Sequence, residues 1–281
     1  MCGIFGIFVP DGHPPPPAHH GAAITSMRHR GPDGTGQWES PDHRYFTGFS
    51  RLAIIDLETG DQPLADPSCP LVLTGNGEIY NFLELRAKPE FAGYPFQTSG
   101  DMEVILPIAQ SLGDGFVDEL NGMFALALYD RAQHRLVLAR DRLGIKPIYW
   151  AELRSGGLVY ASEIKSLFAS GLITPEVDDE QIAAYLAHGY VPGPATIYKG
   201  IHKLQPGHIL SIHRRGEINI SEYWRPHPDT SLPPPTDMGD AAERMTALLR
   251  DSIQLQLRSD VPVGALLSGG LDSGLIVALA A

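Results

Sequence analysis

Short apolar runs recur along the first 224 residues, most of them four to nine residues long and separated by Gly, Pro, Asn or Asp. Runs of that length bounded by turn residues predict β-strands at 4–9, 45–55, 69–74, 123–129, 136–140, 147–153, 158–161, 207–213 and 217–224. Helical spacing appears at 22–29, 80–87, 102–112 and 179–187, where Ile182, Tyr185 and Leu186 fall on one face. Many strands with helices clustered between them predict an α+β layered domain.

The pattern changes after Trp224. Residues 225–237 carry Pro226, Pro228 and the run Pro233, Pro234 and Pro235, which suits neither helix nor sheet interior and reads as a linker. Beyond it, Ala242, Met245, Leu248, Leu249 and Ile253 mark one face of a helix over 240–258, followed by an apolar strand at 263–267 and a glycine turn. The organisation expected is therefore a domain at 1–224, a linker at 225–237 and the start of a second domain at 238–281. About forty residues cannot bury a core alone, so the chain reads as truncated inside that second domain.

Composition narrows the function. With 281 residues and 43% hydrophobic content the chain can build a sizeable core, and a formal net charge of -12 argues against nucleic acid or an anionic membrane as partner. No stretch has the length or flanks of a membrane span or signal peptide. Cys2 and Cys69 are too few for a disulfide framework and no spaced Cys/His set suggests zinc, so a reducing cytoplasm is expected. His19 and His20, after four prolines, receive no role.

Two places carry candidate chemistry. If Met1 is removed, Cys2 holds a thiol and a free α-amine on one residue, and such an amine titrates at about pH 8, low enough to act as base for the thiol. Alone, a cysteine at a chain terminus is more often a small hydrophobe. The second place is Ser268-Gly269-Gly270-Leu271-Asp272-Ser273, between an apolar run and a helical one. Converging backbone N–H groups and a helix N-terminus there suit phosphate oxygens, although no lysine makes it a Walker loop. Asp272 beside phosphates would need a cation, which makes it a candidate contact for Mg²⁺.

Several motifs now stand in order: Cys2-Gly3-Ile4, residues 28–33 (RHRGPD), 51–56 (RLAIID), 76–81 (NGEIYN) and 101–105 (DMEVI). Together they resemble the class II glutamine amidotransferase domain. Residues 140–147 (RDRLGIKP), 160–165 (YASEIK), 189–194 (GYVPGP) and the 268–273 loop narrow the resemblance to the glutamine-hydrolysing asparagine synthetase group. It implies an N-terminal-nucleophile four-layer αββα sandwich, followed by the first elements of an α/β PP-loop (adenine nucleotide alpha hydrolase-like) domain.

The resemblance further implies that Cys2 attacks the side-chain amide of glutamine, with Asn76 and Gly77 holding the oxyanion. Arg51 would take the substrate α-carboxylate and Asp101 its α-ammonium, with Leu52, Ala53, Ile54, Ile55 and Glu78 lining the same pocket. In the ligase half, Leu266, Ser268, Gly269, Gly270, Asp272 and Ser273 would contact ATP, with Mg²⁺ at Asp272; the glutaminase half would need no cofactor. Its substrates would be glutamine, aspartate and ATP, and a homodimer stays open. Taken singly, Asn76-Gly77 reads as a hairpin turn, Arg51 as a surface strand residue and Asp101 as a helix N-cap. Two other readings remain: an amide-forming ligase like β-lactam synthetase, in which the cysteine is typically lost, and a non-catalytic binding fragment. Residues 140–147 and 160–165 are expected to form core turns or contacts to the second domain, without a catalytic role.

Overall fold

A computed structural model describes residues 1–66 and 69–281 of the chain. Among the described residues, twelve strands form two antiparallel sheets of six. The first contains β1 (Gly3–Phe8), β2 (Gly34–Glu39), β3 (Tyr45–Arg51), β8 (Tyr149–Glu152), β9 (Leu158–Ala161) and β10 (His202–Lys203), in the order β10-β8-β9-β1-β3-β2. The second contains β4 (Leu64–Ala65), β5 (Leu71–Ile79), β6 (Gly122–Asp130), β7 (Arg135–Arg140), β11 (His208–His213) and β12 (Ile218–Glu222), in the order β12-β11-β7-β6-β5-β4.

Alternation along the strands builds four layers. In β1, Ile4 and Phe8 point one way and join Tyr45, Val72, Ala125, Ala127, Leu138 and Leu210 in the core between the sheets. Phe5 and Ile7 point the other way, under α1 (His20–Thr25) and α5 (Ile164–Ala169), with Ile24, Met27 and Leu167. On the far side, Leu71, Leu73, Leu126 and Val137 pack beneath α2 (Phe82–Arg86), α3 (Ile105–Leu112) and α4 (Phe116–Glu119). Each fully buried aliphatic or aromatic side chain contributes about 1.5–3 kcal/mol. The sandwich thus has two apolar cores outside and one between, which is the αββα arrangement.

The central core also holds a chain of buried hydroxyls. Tyr45 and Tyr160 meet at 2.8 Å, Tyr160 donates to Thr47 at 3.1 Å, and Thr47 donates across the sheets to Thr74 at 2.9 Å. Each hydroxyl has a partner, so their burial costs little, and the contacts fix the register of one sheet on the other.

Several segments depart from the sequence expectation. β3 ends at Arg51, and 52–55 leave the sheet as a loop. β5 runs through Asn76-Gly77 without a turn. The first helix spans His20–Thr25 instead of 22–29, while β2, β4, α4 and α5 carry too little apolar periodicity to be read. After α6 (Asp179–His188) and the proline-rich 225–237 stretch, α7 (Met238–Gln256) and α8 (Leu271–Ala280) form. Asp237 caps α7 by accepting the Asp240 N–H at 2.9 Å. The strand expected at 263–267 is absent: the segment is irregular and Leu266 is 96% exposed. An apolar strand of an α/β sheet needs neighbours on both sides, and none of the described strands pairs with it. No helix of the described residues is long and apolar enough to cross a membrane.

Candidate active site

A cavity of about 220 Å³ opens at one end of the sandwich, lined by Met1, Cys2, Arg51, Leu52, Ile54, Ile55, Asn76, Gly77, Glu78, Asp101 and Lys146, among others. The strand pattern explains why Cys2 and Asn76 meet. Cys2 shares the inward face of β1 with Ile4, and Asn76 shares the inward face of β5 with Val72 and Thr74, two residues per step. The ends of two facing sheets therefore present a thiol and an amide to the same space.

Backbone contacts hold Cys2 in place. Its Sγ lies 3.4 Å from the Leu52 N–H and 3.5 Å from the Leu52 carbonyl, and its own carbonyl accepts from Arg30 Nε at 2.9 Å. Glu163 in turn accepts from Arg30 at 3.0 Å. Ser162 Oγ accepts the Ile4 N–H at 3.0 Å, and Asp33 accepts the Ala53 N–H at 2.9 Å. Motifs 28–33 and 160–165 thus brace Cys2, the strand it precedes and the loop after β3. Burial pushes the Cys2 thiol up, only partly offset by the Leu52 N–H, so the sulfur needs a base. Burial also pulls the chain's α-amine down, here that of Met1.

Asn76 is 1% exposed, and its Nδ2 has no hydrogen-bond partner among the described residues. Gly77 supplies a second donor through register. Phe124, opposite Gly77, exchanges its backbone contacts with Asp141 on the other side, at 2.9 Å and 3.2 Å. The Gly77 N–H is therefore turned away from β6, on the edge that also carries Gly75 and Ile79. Gln62 takes the Gly75 N–H at 2.6 Å and Asp101 takes the Ile79 N–H at 2.7 Å, which leaves the Gly77 N–H between them facing the cavity. A Cβ on Gly77 would sit 2.0 Å from the Met123 carbonyl oxygen, so only glycine allows this approach of β5 to β6.

Arg51 and Asp101 flank the same space. Arg51 is 7% exposed; its NH1 donates to Asp61 at 2.9 Å and to the Leu57 carbonyl at 3.3 Å, and its NH2 to the Asp56 carbonyl. Three of the five guanidinium N–H groups are thereby occupied, and two remain for a carboxylate. Asp101 does not cap a helix with its side chain. Burial pushes its carboxyl up to about 6 despite the Ile79 N–H, as expected for an anion held where a cation would suit it.

The 140–147 motif, expected as a core turn or a contact to the second domain, also reaches the cavity. Asp141 accepts N–H groups of Leu143, Ile145 and Lys146 at 3.1, 2.9 and 2.9 Å, and that turn delivers Lys146 to the cavity. Burial pulls the Lys146 ammonium down and pushes the Glu78 carboxyl up, each opposed by the other's charge. Ala53 is the one residue of 51–55 outside the lining; its N–H serves Asp33.

The 268–273 loop lies apart from this cavity. Gly269 adopts φ +82° with no atom within 4 Å of a built Cβ, Ser268 and Ser273 hydroxyls meet at 2.9 Å, and α8 starts without a side-chain cap. Uncapped N–H groups beside small residues fit phosphate oxygens. Asp272 is exposed and stands alone: among the described residues no three His, Cys, Asp or Glu side chains gather as a metal site.

Comparison with known proteins agrees with this geometry. Residues 1–224 match the family described as glutamine amidotransferase domain, and 244–281 match asparagine synthase. The chain is 36% identical over 285 residues to "Asparagine synthetase [glutamine-hydrolyzing] 1" of Bacillus subtilis, covering 100% of this chain and 44% of that protein. It is 39% identical over 302 residues to a putative asparagine synthetase [glutamine-hydrolyzing] of Mycobacterium tuberculosis (strain H37Rv), covering 100% and 46%. The chain therefore spans less than half the length of these relatives. Among solved structures, the glutamine phosphoribosylpyrophosphate amidotransferase of B. subtilis superposes with a TM-score of 0.58 at 19% identity, over 99% of this chain and 64% of that one. That likeness concerns the fold alone, a sandwich of two antiparallel sheets between helices. With four-fifths of its length matched by one domain family, and with a half-buried thiol sharing a cavity with the unpaired Asn76 amide, the chain belongs to the glutamine amidotransferases.

Proposed function

We propose that this chain hydrolyses glutamine to glutamate and ammonia, as the glutaminase half of a glutamine-dependent asparagine synthetase. The observation that carries the reading is the buried Asn76 Nδ2, without a protein acceptor, in the cavity that holds the Cys2 thiol. A buried donor left unpaired costs about 1–3 kcal/mol, and an oxyanion forming beside Cys2 would recover it.

With Met1 removed, the α-amine of Cys2 takes the thiol proton as sulfur bonds to the glutamine side-chain carbonyl carbon. The negative charge moves to the carbonyl oxygen, where Asn76 Nδ2 and the Gly77 N–H stabilise it. Collapse breaks the C–N bond, and the amine's proton leaves with nitrogen as ammonia. A water then attacks the thioester with the same amine as base, and the C–S bond breaks to release glutamate. Arg51 and Asp101 hold the substrate's α-carboxylate and α-ammonium. A reducing compartment such as the cytoplasm keeps the thiol free.

In a longer protein of the relatives' full length, the ammonia would attack an aspartyl adenylate to give asparagine and AMP. ATP, once bound with Mg²⁺, supplies that adenylate with release of pyrophosphate; Leu266, Ser268, Gly269, Gly270 and Ser273 would hold the nucleotide and Asp272 would face the cation. Support for this half is the 244–281 match and the uncapped glycine turn before α8. Incubating the purified chain with glutamine and measuring glutamate tests the first half; turnover that survives Cys2→Ala would refute it. Asparagine formation by the longer protein from aspartate, ATP and ammonia tests the second.

A further inference from the structure

The segment after α7 does not simply pass by the first domain. Asp260 grips the loop beyond β3 twice: its backbone N–H donates to the Ile54 carbonyl at 3.0 Å, and its Oδ2 accepts the Asp56 N–H at 2.6 Å. Two residues earlier, Arg258 donates to both carboxylate oxygens of Glu84, at 2.5 and 2.6 Å, and to the Tyr80 carbonyl. The segment thus spans the mouth of the amidotransferase cavity from the 54–56 loop on one side to the end of β5 on the other. A second cavity of about 240 Å³ lies beneath it and shares Ile54 and Glu78 with the first.

Asp56, the residue gripped, is itself a hub. It is 6% exposed and sits at φ +55°, a left-handed conformation that a non-glycine residue keeps only under outside constraint. Its carbonyl accepts from Arg51 NH2. Its Oδ1 accepts the Thr59 N–H at 2.8 Å and its Oδ2 the Ser99 N–H at 2.8 Å, two residues before Asp101. One residue therefore positions both the guanidinium, through its carbonyl, and the turn that presents the carboxylate, through its side chain, and Asp260 holds that residue by its N–H.

We propose that Asp260 is a positioning residue for glutamine, which sets the affinity of the first domain's site through Asp56, Arg51 and the 99–101 turn. The proposal rests on the reading of that site as a glutamine pocket. It makes glutamine binding in the first domain dependent on where the start of the second domain lies, and by linkage makes that segment sensitive to glutamine.

In kinetics on the chain, Asp260→Ala should raise KM for glutamine about tenfold with kcat held within about twofold, since a hydrogen bond to a charged group is lost away from the reacting atoms. Asp260→Asn keeps an oxygen acceptor for the Asp56 N–H and should restore most of the affinity. An unchanged KM in Asp260→Ala, or an Asn variant no better than Ala, overturns the proposal. A second measurement needs no Asp260 variant: hydrogen exchange on the Cys2→Ala chain with and without saturating glutamine. Slower exchange at both 51–56 and 257–262 supports the latch. Slowing at 51–56 alone overturns the latch and leaves the glutamine pocket standing, whereas no slowing at either place removes the pocket reading and the latch with it.

Discussion

The Cys2 thiol is caught between the N–H and the carbonyl of one residue, Leu52, at 3.4 and 3.5 Å, which aims sulfur into the cavity beside Asn76. Replacing Cys2 by Ala should therefore abolish glutamine hydrolysis, by at least about three powers of ten in kcat, because Cys2 brings the one thiol among the described residues that line the cavity. Asn76→Ala tests the oxyanion site separately. It should lower kcat by about two to three powers of ten with KM for glutamine nearly unchanged, as measured by glutamate release.

Asp101 gives the pH dependence. Its carboxyl sits at about 6 in the unliganded protein because burial disfavours the charge, and a substrate ammonium pairs only with the ionised form. KM for glutamine should be flat above about pH 7 and rise as pH falls through 6, approaching about tenfold per unit. Asp101→Asn should flatten that profile and raise KM about ten- to a hundredfold. For folding stability the sign is opposite. The carboxyl is raised from 3.8, so the folded state binds more protons than the unfolded one between 3.8 and about 6. Asp101 thus contributes stability as pH falls through that window, and denaturant titration of wild type against Asp101→Asn reads the difference.

The parts of this site that were legible in the sequence are those where residue type and local pattern agree. Cys2 precedes a short, continuously apolar strand, and an α+β layered class follows from many short strands with helices between, whereas the four-layer αββα order comes with the family resemblance. Asn76-Gly77 shows where local chemistry misleads: an Asn-Gly pair favours a turn, yet here it continues β5, because Gly77 is needed for its contact with Met123 and Asn76 must face the thiol. β2 reads Gly34-Thr35-Gly36-Gln37-Trp38-Glu39, whose glycines suggest a loop, and only its pairing with β3 makes it a strand. Gln62 reaches the cavity region by its tertiary contact with Gly75 alone, and although Asp56 and Lys146 stand in quoted motifs, only their contacts to the 99–101 turn and the Asp141 turn show what they position. The 263–267 run is the converse, with strand propensity and no partner to realise it.

Gly77 also supports a stability prediction. In Gly77→Ala the new Cβ meets the Met123 carbonyl oxygen at 2.0 Å and the Phe124 Cα at 2.7 Å, both backbone atoms of β6 that cannot rotate away. The two central strands must separate, at a cost of about 2–3 kcal/mol, which lowers Tm by roughly 5–10 °C. Gly93→Ala, where a Cβ meets nothing within 4 Å, is the matched control and should leave Tm unchanged within about 1 °C in the same calorimetric scan.

The last prediction concerns the base. Burial raises the Cys2 thiol, so at neutral pH the sulfur is protonated and attack requires a proton acceptor beside it. While Met1 is attached, the Cys2 nitrogen is a peptide amide and cannot accept that proton. The free amine then sits on Met1, one residue too far out, although the same burial keeps it below its ordinary value. Removing Met1 transfers the amine to Cys2 itself, in a setting that favours its neutral, proton-accepting form. Chain preparations should therefore show glutaminase activity in proportion to the fraction lacking Met1, as read by intact mass. Treating a Met1-bearing preparation with methionine aminopeptidase should raise kcat by the same proportion and leave KM unchanged. Full activity in a chain that intact mass shows to keep Met1 would mean that another group takes the thiol proton, and Lys146, whose ammonium burial pulls down at the edge of the same cavity, is the first to mutate.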